Sequence, residues 1–419
     1  MHLKTTSLLL AGLFLATFGW GQKILEQSVI GGLGYDTGTK LIPYEDNTFL
    51  VGGVTTSTDR LGKGNHGNQH DIVVAQVSAQ GGLIWQTMLG GTGKEEFGDM
   101  KMTPDGGVIV IGTSFSDDGH AAGTHGKRDV FMAKLDRLGK IEWFRTYGGS
   151  GNDQGFAVTC LSDGGYFIGG ESGSINGDMK DHIGGLDAWV ALLDNEGNVL
   201  KEKSLGGRAN ERVKIVDEVS PGRYLVVCSS TSQGGDIKKH MGAKDVWISC
   251  LSKNFNNVWT RSYGGSDFDE VHAMVRNEEG DYIFSGTTFS EDGDLELTTN
   301  HGLGDAWLFK IDEDGILAWS QTYGSAKSEG GNGIAMTPDG GYLLVGTTNS
   351  KDTRIMSKGL YDGYVVRTDA QGRKLWHGNY GGKDWEYIYD AYAPEEGNYI
   401  LLGFAESIRG DLAPLKIEV

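Results

Sequence analysis

Seven carboxylates at equivalent places in the sequence are the first candidates for chemistry. Each follows a glycine (or its equivalent) by five residues, and the set is Asp36, Glu95, Asp153, Glu211, Asp269, Glu329 and Glu386. Clustered like charges need a counter-ion or raised pKa values, so a ring of these groups could hold a cation such as calcium. The even repetition favours a structural role, in which each carboxylate accepts hydrogen bonds from loop backbone or from a serine that also recurs. That serine stands at Ser57, Ser116, Ser174, Ser232, Ser290, Ser350 and Ser407.

Recognisable catalytic motifs are absent from the sequence. There is no GxSxG, HExxH or Walker pattern and no isolated Cys/His pair, so we assign no catalytic residue. Carboxylates about 5 to 10 Å apart can cleave glycosidic bonds, which makes a polysaccharide hydrolase or lyase the alternative function. Such a pair needs two different environments, whereas near-identical repeats give every carboxylate the same one.

One aromatic cluster breaks the regular pattern in the last unit. Trp385, Tyr387 and Tyr389 flank Glu386. A binding site usually departs from repeat symmetry, so these four residues are the candidate ligand-binding positions. Packing of the aromatic rings against a closing strand is the competing interpretation.

Histidines and cysteines give weaker signals. Five histidines precede a repeated aspartate by four or five residues, namely His66, His125, His182, His240 and His301. One histidine per unit cannot converge on a single ion, so ordering of the loops is preferred to metal binding. The cysteines, Cys160, Cys228 and Cys250, lie in apolar segments without CxxC spacing and indicate buried thiols rather than a zinc site. No cofactor is predicted, and calcium alone is left open.

All these positions belong to one unit that recurs along the chain. Its aspartate falls at Asp71, Asp129, Asp187, Asp245, Asp305, Asp362 and Asp411, in steps of 58, 58, 58, 60, 57 and 49 residues. Each unit contains four short apolar runs bounded by Gly, Asp and Asn, which predict four strands; in the third unit they are Ile141 to Tyr147, Phe156 to Leu161, Tyr166 to Gly170 and Ala188 to Leu193. Nothing of ten or more residues has helical period. Four antiparallel strands repeated seven times predict an all-β, seven-bladed β-propeller, since the alternative β-solenoids repeat at roughly half this length.

The repeats also predict the domain organisation and the closure of the ring. A single domain, 22–419, contains repeats at about 24–83, 84–140, 141–198, 199–256, 257–315, 316–373 and 374–419. The domain starts with a first-type strand at Ile24 to Ile30 and ends with a fourth-type strand at Leu412 to Val419. If a blade combines the last three strands of one unit with the first of the next, the N-terminal strand supplies the missing outer strand.

Regularly placed tryptophans predict how the blades pack. One set of tryptophans stands five residues before the repeated glycine: Trp85, Trp143, Trp259, Trp319 and Trp376. Trp189, Trp247 and Trp307 follow the repeated aspartate by two residues. Even placement favours packing between neighbouring blades over carbohydrate stacking.

Two segments carry a resemblance to known repeats. The run Lys134 to Trp143 resembles the tryptophan-docking repeat of pyrroloquinoline-quinone-type propellers. The run Ser290 to Asp294, followed by Asn300 to Trp307, is similar to a repeat of secreted Bacteroidetes proteins. The resemblance implies a propeller and export. Seven units instead of eight, and the lack of vicinal cysteines, argue against a quinone enzyme.

The N-terminus and the overall charge restrict the location and the partners. A signal peptide at 1–21 is predicted from Lys4, the apolar run Leu8 to Phe18, and the small residues Gly19 and Gly21. The apolar run is too short to span a bilayer comfortably. The net charge of -19, without a basic patch, argues against nucleic acid and anionic membranes as partners. We therefore expect an exported, monomeric, non-catalytic scaffold that binds a protein or a glycan through the face carrying its long loops.

Overall fold

Short antiparallel strands form almost all the regular structure. The computed structural model describes residues 8–15, 23–67, 69–295, 302–352, 355–395 and 397–406. Within these ranges the helices are single 3-10 turns at Glu45–Asn47, Arg60–Gly62, Gly119–Ala121 and Gly293–Leu295. None of the described helices has the length and apolar character needed to cross a membrane.

The strands follow one another in groups of four. Two strands from the N-terminus come first, β1 (Leu8–Leu15) and β2 (Lys23–Ile30). The next groups are β3 (Asp36–Tyr44), β4 (Thr48–Thr55), β5 (Asp71–Ser78), β6 (Leu83–Leu89); β7 (Glu95–Met102), β8 (Val108–Ser114), β9 (Asp129–Leu135), β10 (Ile141–Tyr147). Then come β11 (Asp153–Cys160), β12 (Tyr166–Ser172), β13 (Asp187–Leu193), β14 (Val199–Leu205); β15 (Glu211–Ser220), β16 (Arg223–Ser230), β17 (Asp245–Ser252), β18 (Asn257–Tyr263). The last are β19 (Asp269–Arg276), β20 (Tyr282–Thr288), β21 (Asp305–Ile311), β22 (Leu317–Tyr323); β23 (Glu329–Met336), β24 (Tyr342–Thr348), β25 (Asp362–Thr368), β26 (Lys374–Tyr380); and β27 (Glu386–Glu395), β28 (Asn398–Ala405).

The prediction of seven blades is wrong. Among the described residues, six blades are formed by four consecutive strands, from β3–β6 to β23–β26. The shorter last repeat supplies only β27 and β28, which join β1 and β2 in a composite sheet with the order β2-β1-β28-β27. Without β1 the edge of β28 would have unpaired backbone groups, and the apolar segment Leu8–Leu15 satisfies them.

The composite sheet also bears on the predicted ends of the domain. β2 is its outer strand, the place expected for Ile24 to Ile30, whereas β1 occupies the third position expected for Leu412 to Val419. Residues 412–419 lie outside the described part of the chain. β1 lies within the predicted signal peptide at 1–21. The other residues of that peptide lie outside the described part of the chain, and cleavage after Gly21 stays a prediction.

The first strand of each group faces the centre of the molecule. β7 contacts β11, β11 contacts β15, and β19 contacts β23, so the inner strands of adjacent blades pack against one another. β27 contacts both β23 and β3, which places the composite sheet between the last and first of the six blades. The chain is therefore an all-β propeller with four-stranded antiparallel blades around a central channel.

Apolar side chains between the blades form the core. Trp189, Trp247 and Trp307 are fully buried, as the sequence predicted. The outer-strand tryptophans are half-buried, and each of four contacts a turn glycine of the next blade: Trp85 with Gly139, Trp143 with Gly197, Trp259 with Gly315 and Trp319 with Gly372. Their predicted role in packing between blades is thus confirmed. Cys228 and Cys250 are buried free thiols, and Cys160 is partly buried.

Candidate functional site

The seven repeated carboxylates lie at the start of the inner strands but are buried rather than exposed in the channel. Glu95 accepts hydrogen bonds from the hydroxyls of Ser114 (2.8 Å) and Ser116 (2.5 Å) and from the backbone N–H of Gly91 (3.3 Å). Asp153 is held in the same way by Ser172, Ser174 and Gly149. Each of the other five carboxylates accepts a hydrogen bond from the backbone N–H of a glycine or serine four residues before it; these carboxylates are Asp36, Glu211, Asp269, Glu329 and Glu386.

These hydrogen bonds are the ones that the structural role inferred from the even repetition requires. The carboxylates tie the turn between two blades to the second strand of the following blade, on the same rim as the long loops. We call this the long-loop rim; it carries the links between the second and third strands of each blade. Burial also removes these carboxylates from any polymer substrate, so the geometry gives no support to a glycosidase built on them.

The repeated aspartates order the long loops together with the histidines. The carboxylate of Asp71 accepts from the backbone N–H of His66 at 2.9 Å, and His66 Nδ1 lies 2.7 Å from the same oxygen. His182 and His240 lie 3.1 and 3.0 Å from Asp187 and Asp245. The pairs are separate, one per blade, so loop ordering is confirmed for them, whereas His301 lies outside the described residues. No group of three or more His, Cys, Asp or Glu side chains that could hold a metal occurs in the described ranges.

A β-bulge in the middle of every inner strand turns one residue toward the channel. The register of each inner strand shifts by one residue at the third position after the repeated carboxylate. The seven bulged residues all line one central cavity of about 200 Å³: Thr39, Gly98, Phe156, Lys214, His272, Asn332 and Tyr389. They differ in type from blade to blade, although they stand beside an invariant carboxylate. Bulges often aim side chains into functional sites.

Ion pairs form one side of the channel and its mouth. Arg212 makes a bidentate contact with Glu171, at 2.7 and 3.0 Å, and its guanidinium lies 4.7 Å from the centre of the Phe156 ring. Hydrogen bonding to Glu171 raises the pKa of Arg212. Glu270 pairs with Lys214 and, at 3.3 Å, with Lys244. This side of the mouth therefore presents fixed, paired charges.

Protonation of the channel groups follows from burial and from these pairs. Burial opposes ionisation of Glu270, but Lys214 and the neighbouring cations outweigh it and hold its pKa at about 2. Burial lowers the pKa of His272 to about 4, and the positive charge of Lys214 adds to this effect. At neutral pH, His272 is therefore an uncharged hydrogen-bonding group beside an ionised pair.

An aromatic row forms the opposite side of the mouth. Tyr361, Trp385, Tyr387 and Tyr389 have nearly parallel rings, and we name these four residues the aromatic row. The ring centres of Tyr361 and Trp385 are 4.8 Å apart, and the successive pairs Trp385–Tyr387 and Tyr387–Tyr389 are both 6.1 Å apart. Trp385 is 37% exposed at the rim, and Tyr389 reaches the central cavity. Burial raises the pKa of Tyr387 to about 12, so its hydroxyl stays protonated.

The structure thus separates the four predicted ligand-binding residues into two groups. Trp385, Tyr387 and Tyr389 lie together, whereas Glu386 turns into the blade junction, is buried, and accepts from Gly382 N–H at 2.8 Å. The observed neighbours of the row include Phe404 of the adjacent strand, 6.3 Å from Tyr387.

Sequence reasoning missed Tyr361, the bulged residues and the ion pairs of Arg212 and Lys214. Tyr361 reaches Trp385 through an isolated parallel bridge between two loops, which no local pattern reveals. The other positions did carry a signal. They stand one and three residues after the invariant carboxylate and vary between repeats of this one chain.

Comparisons with known proteins find similarity at low sequence identity. No protein-family model matches the chain. Regulatory protein FlaEY of Caulobacter vibrioides is 24% identical over 203 residues, 44% of this chain and 21% of FlaEY, so this chain spans only a small part of that relative. The hydrazine synthase of Kuenenia stuttgartiensis is similar over 86% of this chain and 90% of that chain, at 11% identity and a TM-score of 0.51.

Further solved structures are similar at lower scores. The Pan2 WD40 domain of Neurospora crassa has 10% identity, covers 88% of this chain and 89% of its own, and has a TM-score of 0.48. A protein of unknown function from Bacteroides caccae has 11% identity, covers 75% of this chain and 94% of its own, and has a TM-score of 0.41. Propellers host many unrelated functions, so similarity of this kind concerns the fold alone.

Proposed function

We propose that the protein is an exported, non-catalytic scaffold that binds a protein or glycan on its long-loop rim, at the mouth of the central channel. The observation that carries this proposal is the aromatic row. It is the place where the repeated structure is interrupted by adjacent, partly exposed aromatic residues. Clustered aromatic side chains with polar neighbours are typical of binding surfaces.

The arrangement offers two kinds of contact to one ligand. The aromatic row supplies apolar area and the protonated phenol of Tyr387, while Arg212 and the Lys214–Glu270 pair supply fixed charges on the other side of the mouth. The inner strands hold both sides, and the buried carboxylates anchor those strands. A ligand at the mouth would therefore meet side chains that are already positioned, which reduces the entropy cost of binding.

A glycan array probed with the purified chain tests the proposal. We expect Trp385→Ala to lose at least tenfold in binding, because truncation removes an exposed ring from the centre of the row. Phe289→Ala is the control, since Phe289 is a 41% exposed aromatic residue on the long-loop rim of another blade, directly after the second strand of that blade. Its binding should be unchanged.

The same pair of variants serves for a protein ligand. If the array shows no binding, surface cross-linking to proteins of the producing cell, with both variants in parallel, identifies the partner. If the Trp385→Ala and Phe289→Ala variants bind the glycan or protein ligand equally well, the assignment of the aromatic row as the binding surface is contradicted.

A further inference from the structure

The central cavity lies below the channel mouth and carries polar groups at each depth. The inner strands all begin at the long-loop rim, so the number of residues after the repeated carboxylate gives the depth of a side chain in the cavity. The bulged residues form its upper layer. Lys40, Asp99 and Asp390 stand one position further along, and Lys101 and Asp217 lie two positions deeper still. Because the bulge adds a residue to each strand, two successive side chains of one strand can both line the cavity.

The charged side chains of the cavity wall are balanced in number and mostly paired. Three lysines and three aspartates line the cavity, namely Lys40, Lys101, Lys214, Asp99, Asp217 and Asp390. Lys40 Nζ lies 3.6 Å from Asp390 Oδ2, and Lys101 Nζ lies 3.5 Å from Asp99 Oδ2. Lys214 pairs with Glu270 at the mouth. Burial raises the pKa of Asp217, and the charges of Lys101 and Arg276 oppose this effect. A charged ligand group would therefore compete with existing ion pairs for its partner.

Four consecutive sheets contribute uncharged hydrogen-bonding groups to the upper layer. These groups belong to His272 on β19, Asn332 on β23, Tyr389 on β27 and Thr39 on β3. Within the described ranges, the ring nitrogens of His272 and the hydroxyls of Tyr389 and Thr39 have no hydrogen-bond partner in the protein. Asn332 donates from its amide nitrogen to the Ile388 carbonyl at 3.0 Å, which leaves its amide oxygen for a ligand. One side of the cavity thus offers a continuous arc of neutral donors and acceptors.

Aromatic rings add apolar surface to the same layer. Phe156 belongs to the third blade and Tyr389 to the composite sheet, so the two rings lie on opposite sides of the channel. Pockets that recognise small molecules combine apolar walls with a few polar groups that fix the orientation of the ligand. The upper layer has this combination, with its polar groups concentrated on one side.

The size and lining of the cavity restrict what can enter it. Its volume of about 200 Å³ is below the range of about 300 to 1,000 Å³ that is usual for pockets holding drug-sized ligands, so it has room for one small unit of a larger ligand. An apolar peptide side chain would remove water from His272, Tyr389 and Thr39 without replacing its hydrogen bonds. A charged side chain would compete with the ion pairs. A neutral unit that carries hydroxyl groups does neither.

We propose that the central cavity binds one uncharged, hydroxyl-bearing sugar residue, which is the end of a glycan whose next residues lie along the aromatic row. This inference rests on the proposed function and names its ligand as a glycan rather than a protein. The row leads from Trp385 at the rim to Tyr389 in the cavity, so one extended chain can contact both. In the cavity the neutral imidazole of His272 supplies one donor and one acceptor, and the hydroxyls of Thr39 and Tyr389 can act as either.

Titration calorimetry of the whole chain tests the chemistry of the bound end. The probes are the neutral oligosaccharides that bind on the glycan array, each compared with the same oligosaccharide carrying a carboxylate at one end or at the other. We expect a carboxylate at one of the two ends to weaken binding at least tenfold, because it must displace an ion pair of the cavity wall. Equal affinity for the neutral probe and both acidic forms overturns the proposal.

A double variant tests the cavity wall with the same neutral probes. Thr39→Val combined with Tyr389→Phe removes two hydroxyls that have no partner in the protein, and we expect binding to weaken at least tenfold. The control combines Thr146→Val on the outer strand β10 with Tyr166→Phe on β12, both outside the cavity, and should bind as the wild type does. Thr39→Val alone should lose about threefold, which covers a failure of the double variant to fold.

The Trp385→Ala variant separates this inference from the proposed function. Weaker binding by Trp385→Ala and by the cavity double variant supports both. Weaker binding by Trp385→Ala, with unchanged binding by a folded cavity variant, leaves the aromatic row as the binding surface and overturns the cavity site. A glycan array without any binding also overturns the cavity site, even where cross-linking identifies a protein ligand that depends on Trp385.

Discussion

Trp143→Ala measures how much one outer-strand tryptophan contributes to the packing of adjacent blades. The ring is half-buried. It contacts Gly197 of the next blade, where an added methyl group would lie 3.0 Å from the indole, and its centre is 6.0 Å from that of the Tyr166 ring. The guanidinium of Arg145 covers the ring at 5.9 Å.

The expected cost follows from the buried area. A fully buried aromatic side chain removes about 150 to 250 Å² from water, so a half-buried tryptophan removes about 100 Å². At about 25 cal/mol per Å², truncation costs about 2.5 kcal/mol of unfolding free energy. Trp189→Ala removes a fully buried ring and should cost about 3 to 5 kcal/mol. A core position for Trp143 would have predicted this larger loss.

Denaturant unfolding followed by circular dichroism distinguishes these values. Equal m-values for the wild type and the two variants make the free energies comparable. Trp143→Phe is the control, since it keeps a smaller ring on the glycine and should lose less than Trp143→Ala. A cost below about 0.5 kcal/mol for Trp143→Ala, or one that exceeds the cost of Trp189→Ala, refutes the argument from buried area.

Two other predictions concern a turn and an ion pair. Gly139 and Gly340 have similar backbone φ angles of 78° and 83°, but a methyl group at Gly139 would collide with a docked tryptophan ring, whereas one at Gly340 meets nothing within 4 Å. Gly139→Ala should therefore lower the free energy of unfolding by at least about 1 kcal/mol more than Gly340→Ala, and equal losses would exclude the collision. Arg212→Ala leaves the buried carboxylate of Glu171 with fewer donors and should cost about 2 kcal/mol, partly recovered by adding Glu171→Gln. A double-mutant cycle without coupling would contradict this pairing.

The local structure of each unit could be predicted because its signals are local. The strand expected at Ile141 to Tyr147 is β10 with the same bounds, and the turn glycines that follow short apolar runs mark the hairpins. The inner strand expected at Phe156 to Leu161 begins three residues earlier, at Asp153. The bulge explains this difference, since an extra residue at Phe156 interrupts the alternation from which the strand was inferred.

Pairing between the ends of the chain could not be predicted in the same way. β1 pairs with β28, with Leu8 opposite Ala405. Nothing in the neighbourhood of either segment specifies such a distant partner. The apolar composition of β1 fits a leader, a membrane segment or a buried strand equally well, because hydrophobicity alone does not distinguish them. The number of blades therefore could not be counted from the repeats, since the last repeat does not supply a whole sheet.

The candidate binding site lies at positions that vary between the repeats, because the residues that recur are used to join the blades. The carboxylates, serines and aspartates that recur are buried and bonded within the junctions, so their chemistry is used to join blades. Residues such as Lys214, Tyr387 and Tyr389 stand within three positions of those carboxylates, on the same rigid inner strands, yet they are free to differ from blade to blade. A propeller of this kind can change its ligand by substitution at these positions without weakening the junctions. Specific binding is therefore expected where the repeat varies, at the channel mouth. Substitution of an exposed residue of the aromatic row, such as Trp385, should alter affinity while leaving the melting temperature nearly unchanged.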